Sequence, residues 1–488
     1  MKYSSIHKRI MSAASALAVL ALLGMGSSIA VAQTYDVTDL GVLPKKGVNG
    51  TVATAINDQG QVAGTSRDTA FKYHSSSRQL EDLTSKLPGA TSRGFGINEA
   101  GLVVGDSTFP GNGVVIGGRQ PVSRAALFKE GSATDLGTLK NGGSYSRANS
   151  INAAGQVVGF SGPQIDSTSS RAFIWSSVTG MMDLGTLGGA YAQAWGINDA
   201  GFVTGNAQTA DKAGSSHAFL WQAGARMMRD LGTLAGDFSS GTFINANNHV
   251  VGYSTINKQN DRVHAFILDG VKMRDLGSLG GGSVENDQSS ALGVNAKDEV
   301  VGYSYLPSER LAGDGPIRQP RQVAFLYRDG VMSDLNSLIG DASKTYWLQS
   351  ATAINNKGQI TALAFDSSAN TYRAVLLTPV NATAVGGEKT IDGSATGSVK
   401  ITNASYSAVN RALVIEATYA ESPNRGVPTL EAFYASGRKI GTLDRMTDGT
   451  YAGKFVVATK PQEIEVVSSL GGSDRVVVKD SVGLTPSK

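Results

Sequence analysis

Between about residues 35 and 380 the chain repeats itself seven times, and no other feature restricts its possible folds so strongly. Three anchors recur in the same order in every copy. The first is an Asp-Leu pair, at Asp39, Asp82, Asp135, Asp183, Asp230, Asp275 and Asp334, with spacings of 43 to 59 residues. The second is an Asn after Ile or Val, at Asn57, Asn98, Asn152, Asn198, Asn245, Asn295 and Asn355. The third is an Ala before an apolar residue, at Ala70, Ala126, Ala172, Ala218, Ala265, Ala324 and Ala374.

Each copy reads as four short strands. The first ends in Ile-Asn ("AWGIN"), the second is like "FVTGN", the third like "HAFLW" and the fourth like "MMDLG". These runs are rich in β-branched and aromatic residues and are bounded by turn residues. A four-stranded unit of this length predicts a propeller blade. The last copy stops after strand three, at "YRAVLLTP", while "TYDVTDLG" near residue 35 is a fourth strand without a copy of its own. That strand can complete blade seven, which removes two open sheet edges. A linear solenoid is the alternative architecture and has no need of such an exchange.

The turns follow from residue type. Three positions after each anchor Asn stand Gly60, Gly101, Gly155, Gly201, Asn248, Asp298 and Gly358. All tolerate positive φ, as the end of a type I turn in a hairpin requires. "LDGV" and "RDGV" (268–271 and 328–331) are two-residue hairpin signals between strands three and four.

The phrases "HAFLW", "HAFIL", "DLGTLGG" and "IN-x-x-G-x-V-x-G" resemble the HAF-repeat family of bacterial repeat proteins. The resemblance implies a repeated β fold and export. It supplies no catalytic residue. The histidine that gives the family its name is present at His217 and His264 alone.

Residues 1–32 carry Lys2, Lys8 and Arg9, an apolar run and then Ala30-Val31-Ala32, the pattern of a cleaved secretion signal. Removing them takes the formal charge from +3 to 0. A neutral chain has no electrostatic footing on nucleic acid. No other segment is long and apolar enough for a membrane span, so the expected location is periplasmic, cell-surface or extracellular. There are no cysteines, so disulfides and thiolate chemistry do not arise.

After a linker at 380–396, residues 397–480 alternate as strands without the repeat, and 481–488 form a tail. The expected organisation is all-β: a seven-bladed β-propeller at 33–379, then a small immunoglobulin-like β-sandwich.

The motif residues read as structural. A short carboxylate or amide before a turn bonds local backbone, and a repeat needs that bond seven times. Asp199 shares its position with Glu99, Ala153, Ala246, Ala296 and Asn356, so it has no conserved chemical role across the copies. No calcium-loop pattern is present, and two histidines without an acidic cluster do not make a zinc set. No cofactor or metal is expected. The first strands are mostly small and neutral, with Arg93 and Arg147 as their charges, and they offer no acid–base pair of carboxylates.

Asymmetry gives the functional lead. Connections one-to-two and three-to-four are tight and share one face, whereas two-to-three and four-to-one vary and share the other. The longest are 106–124 and 304–323, each containing Arg-Gln-Pro. Loops on a rigid scaffold are where binding usually resides. The candidate binding residues are Phe109, Arg119, Tyr145, Tyr191, Phe238, Tyr305, Arg318, Arg321, Tyr346 and Trp347, because aromatics and Arg stack on and bond sugars or peptides. The reading is a non-enzymatic surface protein for a glycan or protein ligand. A polysaccharide hydrolase or lyase, and a structural envelope protein, are the alternatives.

Overall fold

The computed structural model divides the chain into a unit at Thr34–Val380 and a second unit that holds the residues after 380. It describes residues 33–380 except 45–49, 88–90, 110–122, 141–142, 164–168, 211–213, 225–226, 271, 281–286 and 308–320. In the second unit it describes 398–480 except 408–411, 421–429, 435–438, 447–449, 457–460, 462 and 469–472. The expected signal (1–32), nearly all of the linker and the tail lie outside the described residues, as do Arg119 and Arg318. Among the described residues no helix is long and apolar enough to cross a membrane.

The first unit is a seven-bladed β-propeller. Seven four-stranded antiparallel sheets follow one another, each ordered by sequence from its first strand outward. The first strands are Thr51–Ile56, Ser92–Ile97, Tyr145–Ile151, Gly188–Ile197, Ser239–Ile244, Ser289–Val294 and Tyr346–Ile354. Each contacts the first strands of both neighbouring blades, blade 7 against blade 1 included, so together they ring a central channel. Blade 7 is completed by Thr34–Asp39, which pairs antiparallel with Thr371–Val380 from Thr34↔Val380 to Asp39↔Val375. This is the closure that the orphan fourth strand implies.

A buried Phe from the third strand keys most blades to the one before. Phe71, Phe173, Phe219, Phe266 and Phe325 are fully buried. Phe173, for example, packs on Val104, Ala125 and Leu136 of blade 2. In blade 2 the chain pairs Gly105 with Ala126, where blade 1 pairs Gly64 with Phe71. The alanine anchor of that blade is therefore Ala125, one residue earlier than the sequence reading. Arg124 therefore stands at the position that His217 and His264 occupy in blades 4 and 5. The doubled alanine in "SRAALF" hides the register, and the bonds across the blades reveal it: Leu136 N donates to Ala125 O as Leu83 N does to Ala70 O.

The second-strand glycines of "V-x-G" serve close approach. A Cβ on Gly64, Gly105, Gly159, Gly205, Gly252 or Gly302 would sit 1.8 to 2.1 Å from a first-strand carbonyl oxygen. The turn positions behave as their residue types require. All seven have positive φ, including Asn248 at 65° and Asp298 at 61°, and each N–H bonds the carbonyl of the anchor Asn.

The second unit is one eight-stranded sheet, ordered Ser473–Val477, Glu463–Ser468, Leu430–Tyr434, Lys439–Arg445, Tyr451–Val456, Ala412–Ala420, Ser398–Ser407 and Lys479–Asp480. The sequence expects two packed sheets. Here the pairing is continuous, because Lys439–Arg445 bonds one neighbour through its first half and the other through Asp444 and Arg445. The sheet curls so that Ser398–Ser407 lies against Glu463–Ser468, giving a barrel-like form. Alternate residues such as Leu413, Ile415 and Ala417 fill its interior.

Candidate functional site

The channel has two unlike ends. At the tight-turn end, the anchor asparagines do more than start turns. Each Asn Nδ2 donates to the backbone carbonyl of the next blade's Asn: 57 to 98, 98 to 152, 152 to 198, 198 to 245, 245 to 295, 295 to 355, and 355 back to 57, at 2.9 to 3.2 Å. Each Oδ1 meanwhile accepts the amide four residues on, as in Gln156 N to Asn152 at 2.9 Å. The Asn side chains therefore form a closed, buried ring that ties all seven blades together. This explains their recurrence better than turn preference alone.

Asp199 is also tied to the neighbouring blade. Its Oδ1 accepts Ala153 N at 2.8 Å, and Glu99 and Asp58 do the same for Asp58 N and Asn356 N. Inside this rim a cavity of about 180 Å³ is lined by Ile56, Ile97, Ile151, Ile197, Ile244, Val294 and Ile354. The sequence reading gave this face no such cavity. Nothing in a single copy shows it, because seven aliphatic residues converge only when the ring closes.

The seven anchor aspartates cap local backbone. Each Oδ1 accepts the amide two residues on, at 2.7 to 2.8 Å. Five also meet a basic residue on the third strand: Arg373, Arg124, Arg171, His217 and His264. His264 has more acidic company than its sequence neighbours suggest. Its Nδ1 is 2.8 Å from Asp275 Oδ1 and its Nε2 is 2.9 Å from Asp287 Oδ1. Burial alone would lower its pKa, but Asp275 and then Asp287 outweigh that and hold it above the usual imidazole range. Burial likewise opposes the charge on Asp287, yet Ser278 and His264 hold its carboxyl below the usual range. Among the described residues no group of three His, Asp or Glu is arranged to hold a metal.

The variable-loop end carries the aromatic residues. Arg321 stacks on Trp347, its guanidinium carbon 3.2 Å from the ring centroid. Trp347 Nε1 donates to Gln322 O at 3.1 Å, and Tyr305 OH lies 3.4 Å from Gln322 Oε1. Tyr305 is edge-on to Tyr303 at 6.3 Å. Tyr191 OH accepts from Asn206 Nδ2 at 3.4 Å, and Phe238 is 40% exposed. The structure thus brings Tyr305, Arg321 and Trp347 together across blades 6 and 7, with Tyr191 and Phe238 on blades 4 and 5.

Three candidates have packing roles. Phe109 lies on the cluster of Ala63, Leu83 and Phe128 between blades 1 and 2. Tyr346 packs on the blade 7 core. Tyr145 is 3% exposed, with its hydroxyl 3.2 Å from Asp106 Oδ2. Apolar bulk in a loop has the same sequence signal whether it faces solvent or core, and packing decides.

Sequence reasoning missed the wall formed by Phe95, Phe160 and Trp195 around Arg147. Every first strand has an unpaired residue at a register shift near its end, namely Thr54, Phe95, Asn149, Trp195, Thr242, Leu292 and Thr352, and blades 4 and 7 have a second shift earlier in the strand. Such bulges re-aim a side chain, and in blades 2 and 4 they present aromatics. Arg93 binds Asp106 through Nε at 2.9 Å and a second contact from its Nη2. Burial would lower the pKa of Arg93, but this pairing raises it. Arg147 stacks on Phe95 at 3.5 Å, and burial, the largest influence, lowers its pKa. Trp195 lies 6.1 Å from Phe160 and donates Nε1–H to Asn206 at 2.8 Å.

The fold defines an all-β, seven-bladed propeller followed by a smaller all-β unit. No family profile matches the chain, and no curated protein matches it. Among solved structures it is similar to the β-propeller domain of the trilobed protease from Pyrococcus furiosus, which is described as having an open velcro topology. The likeness has 11% identity and a TM-score of 0.41, over 68% of this chain and 98% of that one.

Proposed function

We propose that this is an exported, non-enzymatic propeller of the HAF-repeat kind that holds a glycan on its variable-loop face. The observation that carries the reading is the cluster of Tyr305, Arg321 and Trp347 at that end, with Phe95, Arg147 and Trp195 farther along the channel wall. Aromatic faces cover the apolar face of a sugar ring, and such contacts are worth about 0.5–1.5 kcal/mol each beyond area burial. Half-buried amides such as Gln349, which donates to Tyr372 OH at 3.3 Å, can bond sugar hydroxyls at the rim.

The test is retention on a glycan array, comparing the chain from residue 33 onward with its Arg321→Ala/Trp347→Ala variant. Binding by the parent and at least tenfold weaker binding by the variant support the reading. Equal binding by both, or binding to no glycan, refutes it.

A further inference from the structure

On the wall of blades 2 to 4, two polar groups lack the partners that the rest of the fold supplies. Arg147 lies face-on to Phe95 at 3.5 Å and 5.9 Å from the Trp195 ring. Its Nε is buried without a hydrogen-bond acceptor. Among the described residues it makes no direct ion pair, although the Asp106 carboxylate is near enough to favour its charge; that carboxylate is clamped instead to Arg93, its counterpart one blade earlier.

Asn149 is 8% exposed. Its Nδ2 donates to Ala194 O of the next blade at 2.7 Å, but its Oδ1 is buried with no donor. The interblade bond does not require asparagine. Thr54 and Thr242, at the same bulge in blades 1 and 5, make it to Gly94 O and Ala291 O at 3.0 and 2.8 Å and carry no second polar atom to be satisfied. An unmet buried acceptor costs about 1–3 kcal/mol, so the fold alone gives no reason for it.

We propose that this part of the channel wall binds a carboxylate-bearing pyranose unit of an acidic polysaccharide. The carboxylate sits on the Arg147 guanidinium, a fork suited to a planar anion. A neighbouring ring hydroxyl donates to Asn149 Oδ1, and the apolar face of the sugar rests on the half-buried Trp195. A carboxylate and a hydroxyl donor on one small ring answer both unmet groups at once. This assignment rests on the glycan reading above and specifies its ligand.

The experiment is calorimetric titration of the chain from residue 33 onward with an oligogalacturonate, with its methyl ester and with a sulfated neutral oligosaccharide of equal length. Arg147→Gln and Asn149→Thr are compared with the parent. Loss of one charge-assisted bond predicts about a tenfold or greater weakening. The parent should bind the acid at least about tenfold more tightly than the ester. Arg147→Gln should lose that preference. Asn149→Thr, which keeps the interblade bond, should fold normally and bind the acid several-fold more weakly, and it decides the matter if Arg147→Gln does not fold. Equal binding of acid and ester, preference for the sulfated sugar, or Asn149→Thr binding like the parent would overturn the assignment. Neutral glycans held in a Trp347-dependent, Arg147-independent way overturn this inference alone. Binding of no glycan overturns the reading beneath it as well.

Discussion

Replacing Asn152 with Asp separates the two roles that its side chain performs. As a turn former, Asp matches Asn: its oxygen still accepts Gln156 N, now 2.9 Å from Asn152 Oδ1. As a ring member it fails, because Nδ2 now donates to Asn198 O at 3.1 Å and to Gln156 Oε1 at 2.8 Å. Asp sets an oxygen against both acceptors. One lost bond contributes about 0.5–1.5 kcal/mol, and the stranded buried carbonyl about 1–3 kcal/mol more. Asn152 is 3% exposed, so the carboxylate is also poorly solvated. The expected loss is about 2–4 kcal/mol, equal to or larger than for Asn152→Ala. Urea unfolding followed by tryptophan emission measures it through the shift in midpoint. An Asp variant within about 0.5 kcal/mol of the parent, with Ala clearly worse, would refute the ring and leave a turn former only; surface changes away from such features fall in that range.

Other consequences can be checked with the same protein. Deleting residues 34–39 strips blade 7 of its outer strand and bares the edge of Thr371–Val380. The truncated chain should aggregate in size-exclusion chromatography; a monodisperse, equally stable product would contradict closure. Gly159→Ala places a Cβ 1.9 Å from Arg147 O. It should cost at least about 1–3 kcal/mol in a melt, as overpacking does. At His264 the folded pKa is raised, so its stabilisation is complete below the ordinary imidazole value of about 6.5 and fades as pH rises through the folded value. At Asp287 the folded pKa is depressed, so its contribution holds above the ordinary carboxylate range and is lost as pH falls through the folded value. Parent Tm should therefore decline as pH rises above the ordinary imidazole value, and His264→Gln, which leaves Asp275, Asp287 and Arg262 in place, should flatten that limb. Parallel curves would remove His264 as the cause.

Much of the architecture is legible in the sequence because the repeat multiplies weak signals. One Asn-x-x-Gly is ambiguous, but five in register, with Asn248 and Asp298 at the same place in the other two copies, fix the hairpins, and the orphan strand at Thr34–Asp39 implies closure. What the sequence hides are relations between copies. The bond from Asn152 to Asn198 spans 46 residues and has no local signature. The bulges that aim Phe95 and Trp195 at the channel depend on pairing register, which composition does not reveal. The same limit explains the slip at Ala125 and the presence of Asp287 beside His264. Tyr145 and Phe109 pack against the fold, and in the sequence a buried aromatic and a ligand-facing one look alike.

The central functional claim is that glycan meets the variable-loop end of the channel, and tryptophan emission tests it most directly. The chain has four tryptophans. Trp347 stands at the proposed face and Trp195 on the channel wall proposed to hold the acidic sugar, while Trp221 is 3% exposed and Trp175 packs on the core between blades 2 and 3. Titration with an acidic oligosaccharide should change the emission saturably, and the change should vanish in Trp195→Phe/Trp347→Phe although binding is still detectable by calorimetry. Saturable binding that leaves the parent's emission unchanged, or that is abolished by filling the Ile56–Ile354 cavity at the opposite end, would contradict the account.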